Sequence, residues 1–182
     1  MKESTSRRLF LRKTAMATTG LAFISSNVVS AFTSEIPYEG YNPYSEEKTD
    51  LRTTIFDKHV RVKGILYDKT GTFPMQGVTI EVWHMSPNSK KYRHRAKFKT
   101  NHNGEYSFIT DFPNKEIAST ARIYFKVNSD DDPYFTELAV GENCANITSK
   151  HWEENQQLGE KLFPTSEKFL NTTTINFNLK TN

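Results

Sequence analysis

The chain reads VRVKGILYD at residues 60–68, GVTIEVWHMSPNSKKYRHR at 77–95, FKTNHNGEYSFIT at 98–110 and ARIYFKV at 121–127. Within these stretches apolar and polar residues tend to alternate, and Gly, Pro and Asn cluster between them. A period of two indicates strands with one buried face, and the turn residues favour antiparallel hairpins. These four stretches therefore predict an all-β protein.

The remaining chain extends this pattern. Residues 32–57 contain several tyrosines and prolines without periodicity, so we predict an extended N-terminal arm followed by a domain at 58–182. Short strands at this spacing are typical of an antiparallel β-sandwich, here with a short C-terminal helical segment at Trp152–Leu162. Strands are predicted at His59–Tyr67, Val78–His84, Phe98–Thr100, Tyr106–Thr110, Ala121–Val127 and Thr172–Leu179.

The first 31 residues have the pattern of an export signal. Ser6–Leu11 reads SRRLFL, which matches the twin-arginine pattern, and an apolar stretch at Ala15–Val29 ends in small residues. That stretch is too short and too rich in Thr and Ser for a membrane span, which needs about 20 apolar residues. We predict a twin-arginine signal peptide at 1–31 and a periplasmic mature protein without a membrane anchor. A Sec signal or an amphipathic N-terminal helix is the alternative.

The charge and the cysteine content of the chain limit the classes of partner and the kinds of cross-link that we expect. The 182 residues carry a net charge of only +3, and the basic residues are scattered apart from the run Lys90–Arg95. This distribution argues against nucleic acid as a partner. Cys144 is the single cysteine, so there is no internal disulfide framework. The oligomeric state is left open.

Several motifs together resemble the intradiol ring-cleavage dioxygenases of the catechol and protocatechuate type. The resemblance implies a β-sandwich that holds Fe(III) through two tyrosinates and two histidines and cleaves catechol-like aromatics with oxygen. Ferric iron is a hard Lewis acid, so phenolate oxygen suits it. The residues that carry the resemblance are Gly64–Asp68, Gly71, Pro74, Gly77–Trp83, Tyr92–His94 and Thr100–Pro113.

The metal ligands that the resemblance implies are only partly present. Tyr92 matches the first tyrosinate, but the stretch after Pro113, where the second is expected, has no tyrosine. The His-x-His strand aligns with Arg122-Ile123-Tyr124. Arginine offers only donors and cannot ligate a cation, so the standard four-ligand centre cannot form from these residues. The metal-ligand candidates are Tyr92 and Tyr124, and a rebuilt ligand shell could draw on Glu116, Asp111, His84 and His94.

Arg122 has two interpretations. A buried arginine needs an anionic partner, and an internal ion pair with Asp111 or Glu116 is the simpler prediction. Otherwise a carboxylate-bearing or phosphate-bearing ligand would sit beside Tyr92 and Tyr124, and Arg122 would be the candidate catalytic or ligand-contacting residue. The two tyrosines could also be packing aromatics. We expect His94 to lie in a basic loop facing water.

Two function classes follow. The first is an exported O2-dependent intradiol dioxygenase with Fe(III) as its cofactor. The second is a non-catalytic β-sandwich that has no cofactor and binds a small aromatic or anionic molecule or another surface. The loss of three of the four implied ligands favours an intradiol-dioxygenase-like protein without the standard activity.

Overall fold

A computed structural model describes residues 38–116, 120–128 and 132–182. The predicted signal peptide at 1–31 lies outside these residues, as does the start of the arm. The described elements are β1 (His59–Tyr67), β2 (Thr79–His84), β3 (His94–Lys99), β4 (Glu105–Asp111), β5 (Ala121–Asn128), β6 (Tyr134–Val140), β7 (Ala145–Ile147), α1 (Ser149–Glu154), a 3₁₀ helix (Gln156–Leu162), β8 (Thr165–Phe169), β9 (Thr172–Asn176) and β10 (Leu179–Lys180).

The strands form two sheets. The first has the order β10-β1-β9-β8, with β4 paired to β1, and the second has the order β3-β2-β5-β6-β7. The predicted β-sandwich is confirmed. One detail differs, because β1 pairs in parallel with both β9 and β10, so the first sheet is mixed while the second is antiparallel throughout.

The core lies between the sheets and is built by the alternation seen in the sequence. Val60, Val62 and Leu66 of β1 are fully buried in the same cluster as Ile123 and Phe125 of β5. Removing such side chains from water is the main favourable term in folding. The residues between them on β5 point to the opposite face of the second sheet. That outer face carries the polar side chains described below.

The arm runs along this body without a strand of its own. Among residues 38–58, contact with the sheets is made through isolated bridges, Glu47 with Lys97 and Asp50 with Ile109. Backbone hydrogen bonds of 2.8 Å join Leu51 and Thr49 to Ile109. Residues 46–51 of the arm are therefore held by the edges of β3 and β4.

Three strand predictions need correction. The strand predicted at Phe98–Thr100 begins at His94, so His94 lies in β3 with only 6% of its surface exposed, and the expectation that it faces water is wrong. The strand predicted at Thr172–Leu179 divides into β9 and β10. The sequence missed β6, β7 and β8 altogether.

The C-terminal helical segment is real but broken. Thr148 caps α1 by accepting a hydrogen bond from the backbone of His151, and the chain then continues from Asn155 into the 3₁₀ helix. The His151 ring is buried against Phe177 and shares a hydrogen bond of 2.6 Å with the Thr136 hydroxyl. None of the helices in the described ranges is long and apolar enough to cross a membrane.

Gly64 on β1 lies too close to the backbone between β9 and β10 for a side chain to fit there. A Cβ on Gly64 would overlap with the backbone carbonyl of Phe177. We expect Gly64→Ala to lower the free energy of unfolding by about 2–3 kcal/mol, because the rigid backbone of the neighbouring segment cannot give way. Urea unfolding measures this change. The exposed neighbour Lys63→Ala is the control, with an expected change within about 0.5 kcal/mol; equal effects of the two substitutions would contradict the close approach.

Candidate functional site

The two candidate ligand tyrosines meet on the outer face of the second sheet. The pairing of β2 with β5 sets Trp83 opposite Tyr124, and their rings stack with centroids 5.6 Å apart. Tyr92, in the connection between β2 and β3, places its ring centroid 6.3 Å from that of Tyr124. The fold thus brings together two residues that lie 32 positions apart in the sequence (124 − 92).

Residues 38–41 of the arm, which we call the cover segment, lie over these tyrosines. The ring of Tyr38 lies 4.8 Å from that of Tyr124. The indole N–H of Trp83 donates a 3.0 Å hydrogen bond to the backbone carbonyl of Glu39. Gly40 has a positive φ of 80° and packs directly against the Tyr92 ring, where a Cβ would overlap with it. The chain itself therefore encloses one side of the tyrosine pair.

Arg122 lies beside Tyr124 and is ion-paired within the protein. Its guanidinium binds the carboxylate of Glu137 on β6, and the two side chains are 27% and 12% exposed. An internal partner was expected, but the predicted partners Asp111 and Glu116 are wrong, because each of them is hydrogen-bonded elsewhere. The hydrogen bond to Glu137 raises the pKa of Arg122, so the guanidinium stays charged and its charge is neutralised in place.

The Tyr124 hydroxyl donates a 2.5 Å hydrogen bond to one carboxylate oxygen of Glu116. The other oxygen of Glu116, Oε1, is buried and has no hydrogen-bond partner among the described residues. Burial raises the pKa of Glu116 above its ordinary value. Burial and the Glu116 carboxylate also raise the pKa of Tyr124, and burial together with Glu116 raises that of Tyr92 to about 12. Both phenols are therefore protonated at neutral pH.

The other candidates for a rebuilt ligand shell form a separate network between the sheets. Asp111 accepts hydrogen bonds from Thr53 at 2.5 Å and from the Nε2 atom of His94 at 2.9 Å. The His84 ring stacks on His94 with centroids 4.8 Å apart, and its Nε2 bonds the Thr110 hydroxyl at 2.6 Å. Asp111, His84 and His94 therefore do not join Tyr92 and Tyr124.

Metal-ligating groups are sparse in the described part of the chain. It contains no group of three or more His, Cys, Asp or Glu side chains that could hold a metal ion. The charged side chains that act on Tyr92 and Tyr124 are the carboxylates of Glu116 and Glu39 and the paired Arg122 and Glu137. What the sequence missed most clearly is Glu137, since the strand that carries it was not predicted.

Comparison with solved structures identifies the fold. The chain superposes on the dioxygenase domain of a dioxygenase carbohydrate-binding protein fusion from Streptomyces sp. SirexAA-E with a TM-score of 0.59 and 17% identity, covering 82% of this chain and 96% of that one. For an intradiol ring-cleavage dioxygenase from Tetranychus urticae the TM-score is 0.53 at 14% identity, with 80% and 90% covered. For 3-chlorocatechol 1,2-dioxygenase from Rhodococcus opacus 1CP it is 0.52 at 13% identity, with 77% and 68% covered.

These likenesses show that the chain has the fold of the intradiol ring-cleavage dioxygenases, as the sequence motifs predicted. The sequence matches no protein-family model and none of the curated proteins. At identities of 17% or lower the superpositions establish architecture and leave the chemistry to the residues of this chain.

Two buried histidines predict a pH-dependent stability. Burial lowers the pKa of His84 from 6.5 to about 3 and that of His151 to about 4. Both rings are thus neutral in the folded protein, and the unfolded chain binds the extra protons. The free energy of unfolding is therefore not reduced by these histidines above pH 6.5. It falls as the pH drops from 6.5 toward the folded-state pKa values, by about 1.4 kcal/mol per histidine per pH unit.

We expect His151→Gln to remove one histidine's share of this slope. Urea unfolding between pH 6.5 and 5 measures the slope for wild type and variant, and His102→Gln in the exposed β3–β4 turn is the control that leaves it unchanged. Identical slopes for wild type and His151→Gln would show that His151 is not held neutral by burial.

Proposed function

We propose that this chain is an exported protein that keeps the intradiol-dioxygenase fold but lacks the standard four-ligand Fe(III) centre and the ring-cleavage activity that depends on it. One observation carries the proposal: Arg122, in the strand position where the resemblance implies a histidine ligand, is ion-paired with Glu137. A guanidinium offers only N–H donors and stays charged, so it repels a metal cation instead of binding it.

The donor set supports this proposal. The resemblance implies two tyrosinates and two histidines as ligands. The histidines nearest to Tyr92 in the sequence are His84 and His94, and both lie in the hydrogen-bond network around Asp111. The undescribed residues 117–119 are Ile, Ala and Ser, and therefore add neither a tyrosine nor a histidine. The residues present do not fit the four-ligand ferric centre.

The surroundings of the tyrosines point the same way. The Tyr124 hydroxyl donates its hydrogen bond to Glu116, and the cover segment lies against both tyrosine rings. An aromatic substrate could reach the two hydroxyls from this side only after displacing residues 38–41. The charge of Arg122 is neutralised by Glu137, so a small anion at this point would also have to displace a carboxylate.

One observation favours a second candidate function, an iron dioxygenase of catechol-like aromatics with a rebuilt ligand shell. Glu116 Oε1 is buried without a partner, and it belongs to a carboxylate that already contacts Tyr124. Tyr92, Tyr124 and Glu116 would then offer three oxygen donors, a set that suits a hard cation such as Fe(III). Arg122 would be the residue that contacts an anionic substrate.

Metal analysis of the purified protein, together with its visible spectrum, separates the two functions. We expect no stoichiometric iron and no visible charge-transfer band, because the four-ligand centre cannot assemble from these side chains. Tyr92→Phe should leave both readings unchanged. Bound iron with a visible band that disappears in Tyr92→Phe would overturn the proposal and establish the rebuilt shell.

Export is proposed from the leader alone. We expect replacement of Arg7 and Arg8 by lysine to hold the precursor in the cytoplasm, because the twin-arginine pathway recognises the arginine pair. Fractionation and immunoblotting measure the distribution. The matched control exchanges Arg12 for lysine and Lys13 for arginine, which keeps the charge and spares the motif. Unimpaired export of the Arg7/Arg8 variant would contradict the twin-arginine assignment.

A further inference from the structure

Ser86, His94 and Asp111 form a continuous hydrogen-bonded chain away from the tyrosine pair. The Ser86 hydroxyl lies 2.9 Å from Nδ1 of His94, and Nε2 of the same ring lies 2.9 Å from Asp111 Oδ2. The three residues come from the connection after β2, the start of β3 and the end of β4. They are 6%, 6% and 1% exposed.

The hydrogen-bond partners indicate which atoms of Ser86, His94 and Asp111 carry hydrogen. Burial raises the pKa of Asp111, but hydrogen bonds from Thr53 and His94 outweigh it, so the net pKa is lowered and the group is a carboxylate. A carboxylate only accepts, so Nε2 of His94 carries a hydrogen, and in the neutral ring, the form that can act as a base, Nδ1 presents a lone pair to Ser86. The backbone N–H of Arg93 donates to Ser86 Oγ at 3.2 Å, which directs the hydroxyl hydrogen of Ser86 toward Nδ1.

His84 keeps the His94 ring in position. It stacks on His94 at 4.8 Å, donates from Nδ1 to the backbone carbonyl of Met85 at 2.8 Å and accepts from the Thr110 hydroxyl at Nε2. Both nitrogens of His84 are therefore occupied, and the ring offers a flat, neutral surface. His94 is thus fixed by a carboxylate at one nitrogen and by a ring at its face.

Ser86 and His94 also line an open groove of about 440 Å³. Arg52 and Lys48 line it as well, but each is paired with a neighbouring carboxylate, Asp50 at 2.6 Å and Glu46 at 2.9 Å respectively.

Arg93 and Arg95 line the same groove and differ from these two cations. No carboxylate of the described residues lies within 4.0 Å of either guanidinium, so two cations remain to bind an anionic group. The groove therefore combines a hydrogen-bonded serine with two guanidinium groups that form no ion pair with the described residues.

We propose that Ser86, His94 and Asp111 form a serine acyl-transfer site whose substrate is a small ester carrying a carboxylate, held by Arg93 and Arg95. A nucleophile bonded to a base that is bonded in turn to an orienting acid is the geometry this chemistry needs. The imidazole is used in the reverse of its usual sense, with Nδ1 facing the serine. Either ring nitrogen can act as the base once the other is hydrogen-bonded to the carboxylate.

The reaction balances with these groups and water. Ser86 Oγ bonds to the ester carbonyl carbon while its proton moves to His94 Nδ1, and the carbonyl oxygen takes up the electron pair of the broken π bond. The ester C–O bond then breaks, and the leaving alcohol takes the proton from Nδ1. Water attacks the acyl group next and gives a proton to Nδ1. The carboxylic acid leaves as the proton returns to Ser86.

Covalent labelling tests the nucleophile directly, since a purely structural hydrogen-bond network would not react. The folded wild-type protein is treated with a fluorophosphonate, digested and analysed by mass spectrometry. We expect a single label on Ser86, none on that peptide in Ser86→Ala, and unchanged labelling in Ser89→Ala, a serine lining the same groove. An unlabelled, folded wild-type protein, or a label on Ser89 instead of Ser86, would overturn the proposal.

Ester hydrolysis tests the substrate class. The probes are p-nitrophenyl acetate and the mono-p-nitrophenyl ester of succinic acid, which carries a free carboxylate. We expect Ser86→Ala to lower kcat/KM for both by about 1,000-fold. The double variant Arg93→Gln/Arg95→Gln should raise KM for the succinate ester about tenfold more than it raises KM for the acetate ester. Unaltered hydrolysis in Ser86→Ala would refute the site, and equal effects on both esters would refute the anion assignment.

Discussion

The ion pair between Arg122 and Glu137 determines the chemistry of the outer face of the second sheet. Alternation along β5 sends Ile123 and Phe125 into the core and leaves Arg122 and Tyr124 on the other face. The register places Glu137 directly across from Tyr124 and diagonal to Arg122. A guanidinium in this half-buried position needs a counter-charge, and Glu137 supplies it from the neighbouring strand. With this pair formed, the charge of Arg122 is balanced, and Tyr92 and Tyr124 keep their protons at neutral pH.

The polar chemistry of the protein is consequently divided between two places. On the outer face, Tyr124 and Glu116 satisfy each other, and the cover segment packs on the tyrosine rings. Between the sheets, His94 and Asp111 are poised against Ser86 at the edge of an open groove. A fold shared with ring-cleavage dioxygenases thus carries two separate polar networks in this chain, and its function has to be argued from these residues and not from the fold.

Local patterns in the sequence predicted much of the fold and little of the site. β1 was predicted with its observed ends, because its alternation is regular and turns bound it. β8 was missed because all five of its residues are exposed and give no apolar period. The alternation of His94, Ala96 and Phe98 could have placed His94 inside a strand, but its basic neighbours suggested a loop. Glu137 and the Ser86 network depend on pairings across strands, for which a single sequence carries no local signal.

The central claim is that Arg122 is neutralised by Glu137 within the folded protein. A double-mutant cycle with Arg122→Met and Glu137→Met, followed by urea unfolding, tests it most directly. We expect each single substitution to cost about 2 kcal/mol, because the partner charge is left half-buried and unpaired, and the double variant to cost less than the sum by at least 1 kcal/mol. Additive effects would contradict the pairing and would favour the alternative interpretation, in which Arg122 binds an external anion.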